Sequence, residues 1–474
     1  LPDHTLCFRV GGHPDNETTM ATERKADKHG LLSAPIPIVL RRLTVPMVFG
    51  MVAILLFNLV DTFFISLLGT EALAAVSFTF PVTFALNCIT MGVSVGISTR
   101  VGRLLGSGDN HTAARFASHG LLLAVLLMIT ASSIGLLTLE PLFSLIGASP
   151  ELLPIIKQYM DIWYLAIPLL VIPMAGNSAI RATGDAKTPA KIMMLAGVIN
   201  GVLDPLLIFG YGPFPELGVR GAAIASGISW AFALICSLYI LIKREKLLAM
   251  PQLRLLGRDW QQIMQVGTPA ALSNALTPLS GAILMSLLAG LGTTSVAAYG
   301  AAMRIESLLV LVMMALGSAL MPFMAQNLGA NNPQRAFKAM FTAMRFAILF
   351  QLLIFIMMVP LSWPLSALFG QDSAVQEQLW HYLIVVPISY GMQAVCMLLI
   401  SALNAMHKSV HALVWNLLRL FAFLLPAAWL GSWINGTEGL FVGIAIANLL
   451  SGIGAYLYAV KMRRHMYSSL ANPS

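Results

Sequence analysis

Between residues 43 and 460 the chain runs through twelve apolar segments, each of 22–30 residues, separated by short polar turns. A helix rises about 1.5 Å per residue, so each segment can cross a hydrocarbon core about 30 Å thick. They fall at about 43–68, 74–99, 119–140, 155–180, 190–211, 219–242, 262–290, 296–325, 341–362, 380–403, 412–433 and 439–460. In lipid a backbone must satisfy its own hydrogen bonds, and helices do this while tolerating occasional Pro and Gly. Only 10% of the residues are charged, against about a quarter in a soluble domain. That excludes a soluble enzyme and leaves an all-α membrane protein with twelve transmembrane helices.

Charge placement orients the chain. With twelve spans both termini share one side, and 24 of the 28 Lys and Arg residues fall there. Lys157 and Arg220 lie on the other side, while Arg304 and Arg419 fall within spans. The positive-inside rule then puts both termini in the cytoplasm of a multi-pass membrane protein. The net charge of +8 is accordingly a topology signal, and no nucleic-acid partner is expected. Residues 1–34 form a polar arm lacking the apolar core of a signal peptide. The arm is read as disordered, with Met20 a candidate start and Leu1 to Thr19 an upstream remnant. Cys7, Cys88, Cys236 and Cys396 stand far apart and suggest neither a metal site nor a disulfide framework.

The longest charged connection, residues 243–259, divides the chain into an N-lobe at 35–242 and a C-lobe at 260–462, followed by a tail at 463–474. The halves repeat. A shift of 223 carries Gly69-Thr70 onto Gly292-Thr293, Leu105-Gly106 onto Leu328-Gly329 and Arg115 onto Lys338. A shift of 221 carries Lys187 onto Lys408 and Leu203-Asp204-Pro205 onto Leu424-Leu425-Pro426. Six helices per half give both halves the same orientation, so the repeats are parallel, related by an axis along the membrane normal. Transporters built this way place substrate between the halves and alternate its access.

Ionisable groups inside spans are costly and point to function. Asp61 lies on the first helix and Asp204 on the fifth, each about 10–12 Å below the outer surface by helix rise. Asn58 precedes Asp61 by three residues and Asn200 precedes Asp204 by four, so each acid has an amide on its own helical face. Two carboxyls withdrawn from water suit a proton or a small cation, since burial and like charge both favour the neutral form. The plainer reading is two separate carboxyls that hold helices together. Against it stands the repeat, which puts Leu284 and Leu425 at the corresponding C-lobe positions. A symmetric structural role would tend to appear twice.

Other signals are weaker. Gly92-Val-Ser94-Val-Gly96 matches the nucleophile pattern of a serine hydrolase but lies mid-helix. No span offers Ser94 a histidine within its interior, so close helix packing is the expected role and an enzyme is not. Arg304 and Glu306 are two residues apart and do not face each other. Each lines a cavity or pairs across helices. Arg419 reads as a buried counter-ion or as a side chain reaching toward a helix end. Pro46, fifteen residues before Asp61, removes a backbone bond and invites a bend. The 26 methionines supply an adaptable wall suited to varied ligands.

On these residues the chain resembles the multidrug and toxic compound extrusion (MATE) transporters over about residues 35–462. The carriers are Leu59-Val60-Asp61-Thr62 with Leu68-Gly69, Leu104-Leu105-Gly106, Arg181 to Asp185, and Asn200 to Pro205. The resemblance implies two pseudo-symmetric six-helix lobes in a V and cation-driven export of amphiphilic or cationic drug-like compounds by a monomer. Within the family the chain is similar to the DinF-like branch. That likeness implies an N-lobe proton site at Asp61, Asn200 and Asp204, with Asn177 and Ser226 as additions and Pro46 as the bending proline. The NorM-like branch carries an acid on helix seven, and the stretch from Pro269 to Pro278 has none. No cofactor is expected. The coupling ion is a proton, with sodium at Asp61, Asn200 and Asp204 as the alternative. A flippase for a lipid-linked precursor is a further alternative.

Overall fold

The computed structural model describes residues 29–369 and 372–471, and among these it is helical with no strand. The first 28 residues of the arm, with Cys7 and Met20, lie outside the described residues. Ten spans are α1 (Ile36–Ser66), α2 (Thr70–Gly106), α3 (Asn110–Leu137), α4 (Leu153–Ala182), α5 (Lys187–Phe209), α6 (Val219–Arg244), α7 (Leu253–Leu291), α8 (Thr293–Gly329), α9 (Pro333–Phe369) and α10 (Ser373–Ala405). A last helical stretch runs from 409 to 471, but Asn435 and Gly436 leave helical geometry. That break separates α11 from α12 and completes the twelve.

Local chemistry sets the ends. Asp109 caps α3 by accepting from the Thr112 amide at 3.0 Å, and Asp372 caps α10 through the Ala374 amide at 3.0 Å. Gly69 (φ 113°) makes the turn from α1 to α2, and its repeat partner Gly292 (φ 128°) makes the turn from α7 to α8. A side chain would strain both turns.

Three features depart from the sequence reading. A short helix, Leu139–Ile146, follows α3 and ends on Gly147 in the left-handed region. Helix α7 starts at Leu253, inside the stretch 243–259 read as linker. The reason is burial: Asp259 is 1% exposed. It accepts from Arg115 at 2.9 Å and pairs with the fully enclosed His119 at 2.8 Å. Helix α12 likewise runs on through the tail to Ala471.

The lobes meet on the basic face. A Cβ at Gly106 would strike the Gln326 carbonyl, and one at Gly329 would strike the Arg103 carbonyl. Gly329 is Gly106 plus 223, and Gln326 is Arg103 plus 223. The contact is therefore reciprocal, as a twofold axis between α2 and α8 requires. Further along α2, Gly92 lies against Gly267 and Ala271 of α7, and Gly96 against the Ile263 carbonyl. The glycines of the Gly-Val-Ser-Val-Gly motif thus serve helix packing. Gln326 donates to the Ala182 carbonyl and Asn327 to the Leu31 carbonyl, at 2.6 and 3.2 Å.

Candidate functional site

Asn200 and Asp204 are both 0% exposed on α5, and Ser226 on α6 is 4% exposed. The Asn200 amide satisfies both its ends in one orientation. Its nitrogen donates to Asp204 Oδ2 at 2.8 Å, and its oxygen accepts from the Ser226 amide at 3.2 Å and from Ser226 Oγ at 3.3 Å. Asn200 therefore bridges α5 to α6 and holds one carboxylate oxygen in place. Asp61 on α1 is within electrostatic reach of Asp204, and Tyr159 on α4 is within reach of both. Oδ1 of Asp61 is enclosed and has no hydrogen-bond partner. Four helices thus converge on two carboxyls, one fixed by an amide and the other holding a free acceptor.

The remaining predicted residues are placed as follows. Asn58 is exposed, and its carbonyl accepts from Thr62 Oγ1 at 2.7 Å. It does not serve Asp61 as Asn200 serves Asp204. Asn177 is buried, but its Oδ1 accepts from Ser237 Oγ at 3.1 Å. Ser237 lies eleven residues beyond Ser226 on α6, about 16 Å along the axis. Asn177 therefore sits near the basic face, away from the acids. Pro46 lies inside α1, which continues through it. Tyr159 is the member that sequence reasoning missed. One tyrosine among ten carries no mark of its neighbours.

The C-lobe counterpart is different. Leu284 is buried in an apolar cluster, and Leu425 packs against that same cluster. Its ionisable groups stand elsewhere. Glu306 on α8 accepts from the Tyr382 hydroxyl and from Gln393 Nε2, both on α10. Of the two readings for that acid, it pairs across helices. Arg419 lies on α11, where Leu418–Leu424 winds as a π-helix.

Comparison with other proteins agrees with this architecture. The MatE family profile matches residues 46–206 and 269–430, one stretch in each lobe. The FAD transporter of Shewanella oneidensis is 48% identical over 438 residues, covering 92% of this chain and 97% of that protein. The multidrug export protein MepA of Staphylococcus aureus (strain N315) is 25% identical, covering 91% of this chain and 95% of its own length. The Vibrio cholerae MATE transporter VcmN in its bent form superposes with a TM-score of 0.85 at 30% identity, covering 94% of this chain and 98% of VcmN. The chain belongs to the MATE family of multi-pass membrane transporters.

Proposed function

We propose that the protein is a proton-coupled exporter of flavin adenine dinucleotide (FAD), working in the bacterial inner membrane with its basic face toward the cytoplasm. The observation that carries the coupling is the Asp61–Asp204 pair, two carboxyls within electrostatic reach inside one lobe, with Asn200 bonded to one and a bare oxygen on the other. Coupled acids of this kind take up and release protons as a unit. The seam of α2 and α8 closes the basic side, so in this state protons reach the pair from the opposite side. Protonation removes charge from the N-lobe wall and favours return of the lobes, and the proton leaves on the cytoplasmic side.

The cargo reading is supported by the Shewanella relative, which is 48% identical to this chain along nearly its whole length. FAD is anionic at neutral pH. Moving a negative charge out of a cell that is negative inside gains about 2.3 kcal/mol per 100 mV. A cationic drug is opposed by the same potential. Export of amphiphilic cations is the second reading, favoured by the likeness to MepA, and sodium is the alternative coupling ion.

Proteoliposomes separate these readings. An imposed pH gradient should drive FAD movement in native protein and fail with Asp61→Asn or Asp204→Asn. A potassium diffusion potential, negative on the cytoplasmic side, should speed FAD export. Transport of ethidium with no transport of FAD would overturn the cargo. Transport driven by a sodium gradient at fixed pH would overturn the proton.

A further inference from the structure

The C-lobe holds a charge that the coupling site does not use. Arg419 lies ten residues into the stretch that begins at Ser409, about 15 Å from the basic face and close to mid-bilayer. Its Nε and Nη1 atoms are enclosed and have no hydrogen-bond partner, while the residue as a whole is only half-buried. No carboxylate among the described residues forms an ion pair with it. Glu306, the acid inside a C-lobe span, is engaged by Tyr382 and Gln393. A guanidinium at this depth turns away from hydrocarbon, toward the bundle interior, a water-filled cavity or a polar or anionic partner.

The backbone around Arg419 is also specialised. Asn416, one turn earlier, ties α11 to α7 by donating to the Ser273 carbonyl and to Ser273 Oγ at 2.9 and 3.0 Å. From Leu418 the helix widens into the π form through Leu424. Such segments are uncommon and cluster at functional sites. The widened turn follows directly on the anchored Asn416, and it carries a cation two of whose donor atoms have no partner.

From this geometry we infer that Arg419 is the anchor for a phosphate group of the cargo, a C-lobe anion subsite separate from the N-lobe acids. Guanidinium presents paired N–H donors to two phosphate oxygens, which suits a diphosphate better than a point charge does. The inference rests on the reading of FAD as cargo and adds the atom group that is held. Cargo bound there sits in the opposite lobe from the protonated pair. Coupling then runs through lobe movement, without direct competition for one residue.

The test uses purified full-length protein in detergent with three probes: FAD by flavin fluorescence, and inorganic pyrophosphate and riboflavin as competitors. Native protein should bind FAD and lose it to pyrophosphate more readily than to riboflavin. Arg419→Gln should weaken FAD binding by about 10- to 100-fold, the loss expected for a charge-assisted hydrogen bond. Arg419→Lys should recover part of it, and thermal melting should confirm that both variants are folded. Ethidium binding should be unchanged or tighter in Arg419→Gln. Equal FAD affinity in native and Gln proteins would overturn the subsite while leaving the cargo intact. No FAD binding, with pyrophosphate binding that depends on Arg419, would overturn the cargo and keep the subsite. Absence of both would overturn both.

Discussion

The two lobes repeat one another in backbone and differ in chemistry. In the N-lobe, α1 and α5 bring Asp61 and Asp204 together with Asn200 bonded to Asp204. At the same places in the C-lobe, Leu284 and Leu425 share one apolar cluster. The C-lobe's own ionic groups stand at other positions, Glu306 on α8 and Arg419 on α11. The difference teaches that duplication fixed the scaffold and left each half to acquire its own charges.

The largest effect should come from erasing the N-lobe chemistry. Asp61→Asn and Asp204→Asn each should lower gradient-driven transport at least 100-fold, while melting temperature stays within a few degrees. Coupled transport by both variants would remove the functional contrast between the lobes. Next is the converse change, Leu284→Asp in the C-lobe. A lone carboxylate buried in that cluster should cost about 2.5–3.5 kcal/mol, read as a lowered melting temperature in detergent. An unchanged melt would mean that the C-lobe counterpart is as polar as the N-lobe site.

A third test addresses the seam that the lobes share. His407, in the turn between α10 and α11, has its pKa pushed down to about 4 by burial and then by the neighbouring Arg100 and Arg103. A histidine depressed in the folded state loses stability as pH falls from its unfolded value near 6.5 toward about 4. The full effect is of order 3 kcal/mol. His407→Gln should flatten melting temperature against pH over that window; the same slope in the variant would exclude His407 as its source. Asn200→Ala should be milder for stability, about 1–3 kcal/mol, and should change the pH dependence of transport. The smallest effect should be Ser94→Ala, with transport within twofold of native.

The acids were legible in the sequence because a charge inside a long apolar run stands out. The repeat was legible because glycines at Gly69, Gly292, Gly106 and Gly329 recur in register, and two of them need positive φ. The division of the last helical stretch was legible as the gap between the apolar segments ending at 433 and starting at 439, and Asn435 and Gly436, which leave helical geometry, fall in that gap. Tyr159 was not legible, since its role depends on the tertiary fold bringing it within electrostatic reach of Asp61 and Asp204, which no local pattern encodes. Asn58 and Asn200 both lie within one helical turn of an acid, three and four residues before it, yet Asn200 is covered by α6 and Asn58 is left exposed. Placing Asn177 needed the helix register: it is five residues from the end of α4, whereas Asp204 is seventeen from the start of α5. The π segment around Arg419 also had no sequence mark.

The reciprocal approach of Gly106 and Gly329 has a consequence for how the halves could evolve. The contact is made of main chain on main chain, so it asks nothing of the side chains elsewhere in either lobe. Each half is free to trade an acid for a leucine, as at Asp204 and Leu425, or a valine for an arginine, as at Val198 and Arg419, without disturbing that contact. Natural variation should therefore be wide at the positions where the two lobes differ in charge and nearly absent at those two glycines.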